Sequence, residues 1–166
     1  MARSLGETTI TISVLDRLID LEPGNRMENP LSRSQSVRLL KGAVRRDLEW
    51  LLNSRRIADL PDEGLRQVNR SAYTYGLPDV SALAMAASGD RNKLVRQIQA
   101  AINLFEPRLA NVRLVMIDTP EVGKKDVRFR VEAMLRMDPV PEPITFDTVI
   151  DLKSGNCRLT GGDDAR

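Results

Sequence analysis

A carboxylate, a proline and a guanidinium stand together in the run Phe105-Glu106-Pro107-Arg108-Leu109, which follows an amphipathic segment. Proline lacks a backbone N–H and disfavours helical geometry at the preceding residue, so a helix should end at about Glu106. Glu106 and Arg108 are then fixed at the boundary of an element, where charges are suited to recognition. From the residues alone two interpretations stay open, a surface salt bridge worth roughly 0–1 kcal/mol or an interface.

The other residues that could do chemistry give little support to catalysis. The sequence has no histidine, which removes the commonest general base at neutral pH and the commonest zinc ligand. Cys157, the single cysteine, is therefore predicted to be a structural residue of a strand. Glycoside hydrolysis needs two carboxyl groups, but Asp47 and Glu49 point away from each other on a helix. No spacing marks out a second carboxylate as the partner of Glu106. With no phosphate-binding glycine loop either, we expect no cofactor and no metal.

Composition limits the cellular setting and the partners. A chain of 166 residues with a net charge of +2 fits one domain. A protein that binds duplex nucleic acid usually has a larger excess of positive charge, so nucleic acid is not an expected partner. One cysteine fits a reducing compartment. No stretch approaches the roughly twenty apolar residues of a membrane span, so we expect a cytoplasmic protein without direct membrane insertion.

Helices are predicted to precede the strands. Ser13 can cap a short first helix, and the breakers between Glu22 and Pro30 separate it from the rest. This helix is too short to persist alone, so it docks on its own domain or on another chain, and both options stay open. Its apolar face consists of Val14, Leu15, Leu18 and Ile19.

Two longer helices and one brief helix follow. Ser34 or Ser36 is predicted to cap the long helix. Asp79 or Ser81 is predicted to cap a brief helix that runs to residue 85. Asp90 is predicted to cap a third helix, which ends before Pro107. The long helix has an apolar face made of Val37, Leu40, Val44, Leu48 and Leu51. The helix after Asp90 has one made of Leu94, Ile98, Ala101, Ile102 and Phe105.

After Pro107 the hydrophobic period changes from helical to two, which predicts strands at residues 112–117, 127–137, 146–152 and 157–160. Helices first and strands last favour an α+β fold with an antiparallel sheet of three to four strands. We expect an N-terminal tail at residues 1–33, one domain at 34–160 and a disordered end at 161–166. Arg128 and Arg130 lie on the outer face of the clearest strand. That face is either solvated or binds an acidic partner. The strand could also lie at an edge of the sheet that accepts a strand from another chain.

Several blocks of the sequence, taken together, resemble the TssE family. TssE is the baseplate wedge subunit of bacterial type VI secretion systems and is related to phage-tail baseplate proteins once labelled lysozyme-like. The blocks occur in the family's order and cover most of residues 13–155. They are Val14-Leu15-Asp16-Arg17-Leu18, Ser36-Val37-Arg38 with the run from Arg45 to Arg56, Tyr75-Gly76-Leu77-Pro78-Asp79, Phe105-Glu106-Pro107-Arg108-Leu109 and Phe146-Asp147-Thr148.

The resemblance implies an assembly protein without enzymatic activity. Glu106, Pro107 and Arg108 match the family's signature for the contact region in the baseplate. The C-terminal strands resemble the strand-exchange domain of sheath subunits, which implies a template for the first sheath ring. The implied partners are the wedge subunits TssF and TssG and the sheath subunits TssB and TssC. We also place Leu15, Leu18, Arg128 and Arg130 at interfaces.

Two other functions remain open at this stage. A peptidoglycan glycosidase would need Glu106 in a cleft beside another carboxyl group about 5–10 Å away. A regulatory anti-adaptor is the second, because the fold family resembles one that includes an anti-adaptor of stress-factor proteolysis.

Overall fold

The protein consists of helices followed by a four-stranded antiparallel sheet, so the predicted α+β class is confirmed. The computed structural model describes residues 10, 12–19, 23–24, 31–79, 88–117, 126–151 and 154–162. Within these residues no helix is both long enough and apolar enough to span a membrane. The elements are α1 (Val14–Leu18), α2 (Arg33–Asn53), α3 (Arg66–Asn69), a 3₁₀ turn (Ala72–Thr74), α4 (Ser88–Phe105), β1 (Leu109–Met116), β2 (Asp126–Leu135), β3 (Glu142–Asp151) and β4 (Cys157–Gly161).

Helix α2 begins earlier than predicted. Its N-cap is Ser32, whose side chain accepts from the backbone N–H of Gln35, while the Gln35 side chain accepts from the backbone N–H of Ser32. This reciprocal capping box satisfies two otherwise unpaired donors, so the prediction of Ser34 or Ser36 as the cap is wrong. Ser36 is instead a buried helical residue. The predicted apolar face is buried at Leu40, Val44, Leu48 and Leu51, and Val37 is partly buried against the core.

Helix α4 also begins ahead of its predicted cap. Its first residue is Ser88, so Asp90 is the third helical residue and not the N-cap. The predicted end of this helix is confirmed at Phe105. The brief helix predicted up to residue 85 lies outside the described residues, apart from Asp79, which is not helical.

The four strands follow one another in space as they do in sequence, in the order β1-β2-β3-β4. Strand β2 is therefore an inner strand paired on both sides, so the prediction that it could accept a strand from another chain is wrong. The alternation predicted for β2 is confirmed, because its inward side chains are all buried: Val127, Phe129, Val131, Ala133, Leu135 and, just after the strand, Met137. They pack with the apolar faces of α2 and α4 into one core. The sheet therefore has one face against the helices and one outward face.

Strand β1 begins at Leu109, ahead of the predicted start at residue 112. A bulge between Ala110 and Arg113 shifts the register with β2, and Asn111 has a φ of 53°. An extra residue in one strand interrupts the alternation of period two. The pattern of side chains therefore did not reveal the first residues of this strand.

Strand β3 starts at Glu142, not at residue 146 as predicted. The added residues include Pro143, and proline removes a ladder donor. Here Gly162 N donates to Thr145 O at 3.1 Å, one residue after β4 ends at Gly161. Pro143 lies beyond that last bond, so its missing N–H costs no pairing. Of the end at residues 161–166, Gly161 is the last residue of β4, Gly162 bonds to β3, and residues 163–166 lie outside the described residues.

Candidate partner-binding site

The turn between α4 and β1 fixes Glu106 and Arg108 at both ends. Glu106 N donates to Ile102 O at 2.9 Å, and Leu109 N donates to Glu106 O at 3.1 Å. Arg136 N donates to Arg108 O at 2.7 Å, which joins Arg108 to the sheet just ahead of β1. The two charged residues are therefore held by the backbone of a helix end and a strand start, as the Glu-Pro-Arg spacing predicted.

The Glu106 side chain is buried and its charge is compensated within the chain. Only 4% of Glu106 is exposed. Arg108 Nε donates to Glu106 Oε1 at 2.6 Å, Arg108 Nη2 donates to Glu106 Oε2, and Arg108 N donates to Glu106 Oε1 at 3.2 Å. The pKa of Arg108 lies well above its ordinary value, mainly because of the hydrogen bond to Glu106. Partial burial lowers this pKa but does not outweigh the hydrogen bond. The pair is thus not an exposed surface bridge.

Helix α2 adds a second carboxylate to Arg108. Arg108 Nη2 donates to Asp47 Oδ2 at 2.6 Å. Arg46 donates to Asp47 Oδ1 from Nε at 2.9 Å and from Nη2 at 2.8 Å. Arg46 also reaches Asp16 of α1, with Nη1 donating to Asp16 Oδ1 at 2.7 Å. We call Asp16, Arg46, Asp47, Glu106 and Arg108 the charged cluster.

Three members of the charged cluster were missed as site residues by the sequence reasoning. From the sequence, Asp47 is considered only as a carboxylate for glycoside hydrolysis, and no site role is assigned to Arg46 or Asp16. One signal was present, because Asp47 follows Val44 by three residues and precedes Leu51 by four, which places it beside the buried face of α2. The contacts of Asp47 with Arg108 and of Asp16 with Arg46 span 61 and 30 residues and could not be inferred from spacing.

Helix α1 is attached through a polar side chain and exposes its apolar ones. The predicted cap is confirmed, because Asp16 N donates to Ser13 Oγ at 3.1 Å and Ser13 Oγ donates to Asp16 Oδ2 at 2.5 Å. Leu15 is 52% exposed and Leu18 is 77% exposed. Of the two options left open for α1, the structure shows contact with its own domain through Asp16 and Arg46. The apolar face of α1 remains uncovered in the isolated chain.

Acid should detach α1 from the domain. Partial burial raises the pKa of Asp16, but hydrogen bonds from Ser13 and Arg46 outweigh it, so the pKa lies below its ordinary value of 3.8. A carboxyl group with a lowered folded pKa contributes its full stability above pH 3.8 and loses it as the pH falls through the folded value. We expect the NMR signals of residues 14–18 to shift toward random-coil values in that pH range. Asp16→Asn is the control, and an identical acid transition in that variant would contradict the assignment to Asp16.

A cavity of about 270 Å³ opens beside the charged cluster. Its walls are Ser13, Asp47, Leu51, Tyr75, Phe105, Glu106, Pro107 and Arg108. Tyr75 packs edge-to-face on Phe105, with ring centroids 5.2 Å apart and an angle of 71°. Burial, followed by the charges of Asp47 and Glu106, raises the pKa of Tyr75. The cavity combines apolar walls with fixed charges, which suits it to receive a side chain of a partner.

Arg128 and Arg130 lie elsewhere, on the outward face of β2. Arg130 Nε donates to Asp147 Oδ1 of β3 at 2.7 Å, and both side chains are about half exposed. In the described part of the chain no hydrogen bond or ion pair joins either arginine to the charged cluster. These two predicted interface residues therefore mark a separate surface.

Cys157 is buried in β4, in agreement with its predicted strand position. Burial, with a smaller contribution from Glu49, raises its pKa to about 12. The side chain of Asn53 bonds both backbone groups of Cys157: Asn53 Nδ2 donates to Cys157 O at 2.9 Å, and Cys157 N donates to Asn53 Oδ1 at 2.8 Å. The end of α2 is thereby joined to the first residue of the edge strand β4.

Comparison with protein-family models matches residues 38–140 to the family of baseplate wedge protein gp25. The match covers more than half of the chain, so the chain belongs to this family, which forms a structural part of phage-tail-like baseplates. The resemblance to baseplate wedge proteins is therefore confirmed. Four residues of the charged cluster fall inside the match and Asp16 falls outside it. Searches of the curated proteins and of the solved structures each found no match.

Proposed function

We propose that this chain is a cytoplasmic wedge subunit of a type VI secretion baseplate that starts contractile sheath polymerisation by strand addition. Its wedge partners would be TssF and TssG, and the sheath subunits TssB and TssC would assemble on it. Membership of the gp25 wedge family supports the baseplate part of this proposal. The observation that carries the sheath part is an antiparallel sheet with an open edge at the C-terminal end of β1.

Alternation of the ladder identifies which backbone groups of β1 face outward. Ile117 N donates to Arg128 O at 3.0 Å, so residue 117 faces β2 and its neighbour Met116 faces away. By the same alternation Leu114 also faces away from β2. Within the described residues the outward N–H and C=O groups of Leu114 and Met116 have no hydrogen-bond partner. An unpaired row of this kind is what a strand from another chain requires.

The N-terminal half of β1 and the outer edge of β4 are less available for pairing with an added strand. At the N-terminal half of β1, Gln99 Nε2 donates to Val112 O at 2.8 Å, and the bulge disrupts the row of acceptors. At the opposite edge, β4 is shorter and Asn53 occupies both outward groups of Cys157. The C-terminal half of β1 is therefore the edge we assign to strand addition.

The charged cluster supports the proposed contact with TssF and TssG and gives no support to catalysis. A glycosidase acid must carry a proton to its substrate. Glu106 instead accepts three hydrogen bonds from Arg108. A rigid, partly buried ion pair that lines a cavity is suited to fix the orientation of a partner. We infer that the chain acts by binding and not by catalysis.

The edge assignment is tested with Met116→Pro and Met116→Ala. Both variants lose the same side-chain packing, but only proline also removes the outward N–H, which the monomer does not use. We expect the alanine variant to support sheath formation with TssB and TssC, and the proline variant to fold with similar stability and fail. Normal sheath formation by Met116→Pro, measured by electron microscopy of assembled sheaths, would place the added strand elsewhere.

A further inference from the structure

The charged cluster joins three elements that are distant in sequence. Asp16 belongs to α1, Arg46 and Asp47 belong to α2, and the other two members belong to the turn after α4. Each neighbouring pair in the order Asp16, Arg46, Asp47, Arg108, Glu106 is bonded, and the three hydrogen bonds of Asp47 to the two guanidinium groups are 2.6–2.9 Å long. Asp47 is the one carboxylate in this chain of contacts that binds both guanidinium groups.

We propose that Asp47 is a positioning residue that couples the placement of α1 to the orientation of Arg108, so that both present one partner surface. The proposal rests on the proposed function in naming TssF and TssG as the partner. It gives α2 a part in recognition. If the Glu-Pro-Arg turn and the apolar residues of α1 bound a partner separately, neither would need α2.

Glu106 holds Arg108 within the turn between α4 and β1, but their bond does not join the Arg108 guanidinium to α2 or to α1. Asp47 lies on a long helix whose apolar face is buried, and it therefore supplies a fixed external reference for the Arg108 guanidinium. A residue whose own backbone is locked by packing holds a neighbouring side chain in a narrow range of geometry.

The same carboxylate also orients the residue that holds α1. Arg46 uses Nε and Nη2 for Asp47, which leaves Nη1 to bind Asp16. The guanidinium of Arg46 also lies 5.0 Å from the ring centroid of Trp50, a favourable distance for a cation–π contact. With Arg46 held on two sides, Asp16 is drawn toward α2 and the apolar residues of α1 are left facing outward.

The first experiment measures the coupling without any partner. Asp47→Asn keeps the shape and removes the charge, and Asp147→Asn is the matched control, because Asp147 pairs with Arg130 on the outward face of the sheet. We expect Asp47→Asn to shift the Arg108 Nε–H signal in a ¹H–¹⁵N spectrum and to reduce the helical chemical shifts of residues 14–18. The control should change neither. Unchanged signals from either Arg108 or α1 in Asp47→Asn would overturn the proposal.

The second experiment measures association with TssF and TssG. We expect Asp47→Asn to weaken binding about tenfold, and the double variant with Arg108→Ala to bind no worse than Arg108→Ala alone, because residues that act as a unit are not additive. Fully additive losses would show that Asp47 acts independently of Arg108 and would overturn the proposal. Failure of the wild type to bind these subunits would contradict the proposed function only, and the spectra would still decide the coupling.

Discussion

Arg108→Ala should weaken binding of the proposed wedge partners and also lower the stability of the monomer. Truncation leaves Glu106, which is 4% exposed, without its charge partner. Breaking a buried pair by removing one member costs about 3–5 kcal/mol, which a domain with about 5–15 kcal/mol of stability can survive. Loss of a desolvated charge at an interface costs roughly 2–5 kcal/mol of binding. Urea denaturation and co-purification with TssF and TssG measure the two effects.

A double substitution separates the two effects. Glu106→Gln combined with Arg108→Met removes both charges and keeps similar side-chain volumes, so the monomer should recover most of its stability. Binding of the proposed partners should stay weak, because the fixed charges that orient the partner are absent. Wild-type capture by the double variant would show that Arg108→Ala acts only through instability. Normal capture by Arg108→Ala itself would contradict the contact role of this turn.

Gly76→Ala should be among the most destabilising single changes outside the core. Gly76 has a φ of +102°, which L-residues rarely adopt. A Cβ there would lie 2.4 Å from Ser54 O, and that same oxygen accepts the N–H of Leu77 at 2.8 Å. The added methyl group must therefore displace the backbone that joins the end of α2 to this turn. We expect a loss on the order of 2–4 kcal/mol in the free energy of unfolding.

Gly42→Ala provides the matched control. Gly42 is an exposed residue of α2, and a Cβ there would meet nothing within 4 Å. The same substitution in a helix interior should therefore stabilise the protein by roughly 0.5–1 kcal/mol. Chemical denaturation of both variants checks the opposite signs. Equal effects would mean that the turn at Gly76 tolerates a side chain. Tyr75, which lines the cavity, precedes Gly76, so Gly76→Ala should also weaken binding of a partner at the cavity.

The sequence was sufficient to predict those parts of the fold that depend on a local pattern of residues. Alternation predicted the buried side chains of β2, and the proline at 107 predicted the end of α4. Element starts were less predictable, because several residues could cap α2 equally well and only the reciprocal bonds of Ser32 and Gln35 favour one of them. The bulge in β1 hid the strand start for a related reason, since it breaks the period on which the prediction depends.

Only part of the candidate site could be predicted from the sequence. Glu106 and Arg108 are two residues apart, so their pairing follows from local geometry. Asp47 is 61 residues from Arg108, and Asp16 is 30 residues from Arg46. Contacts of that separation depend on how helices pack, which a single sequence does not encode in its spacing. Membership of the gp25 family supplies the functional context that the geometry alone lacks.

The short open stretch of β1 has a consequence for how many copies must act together. Leu114 and Met116 offer four outward backbone groups, and each hydrogen bond contributes a net of about 0.5–1.5 kcal/mol. Their sum is roughly 2–6 kcal/mol, whereas association costs about 4–15 kcal/mol in lost freedom. One added strand would therefore be held weakly. When several wedges are joined in one baseplate, the linked sites raise each other's effective concentration. Sheath growth would then begin on a completed baseplate and not on a free subunit.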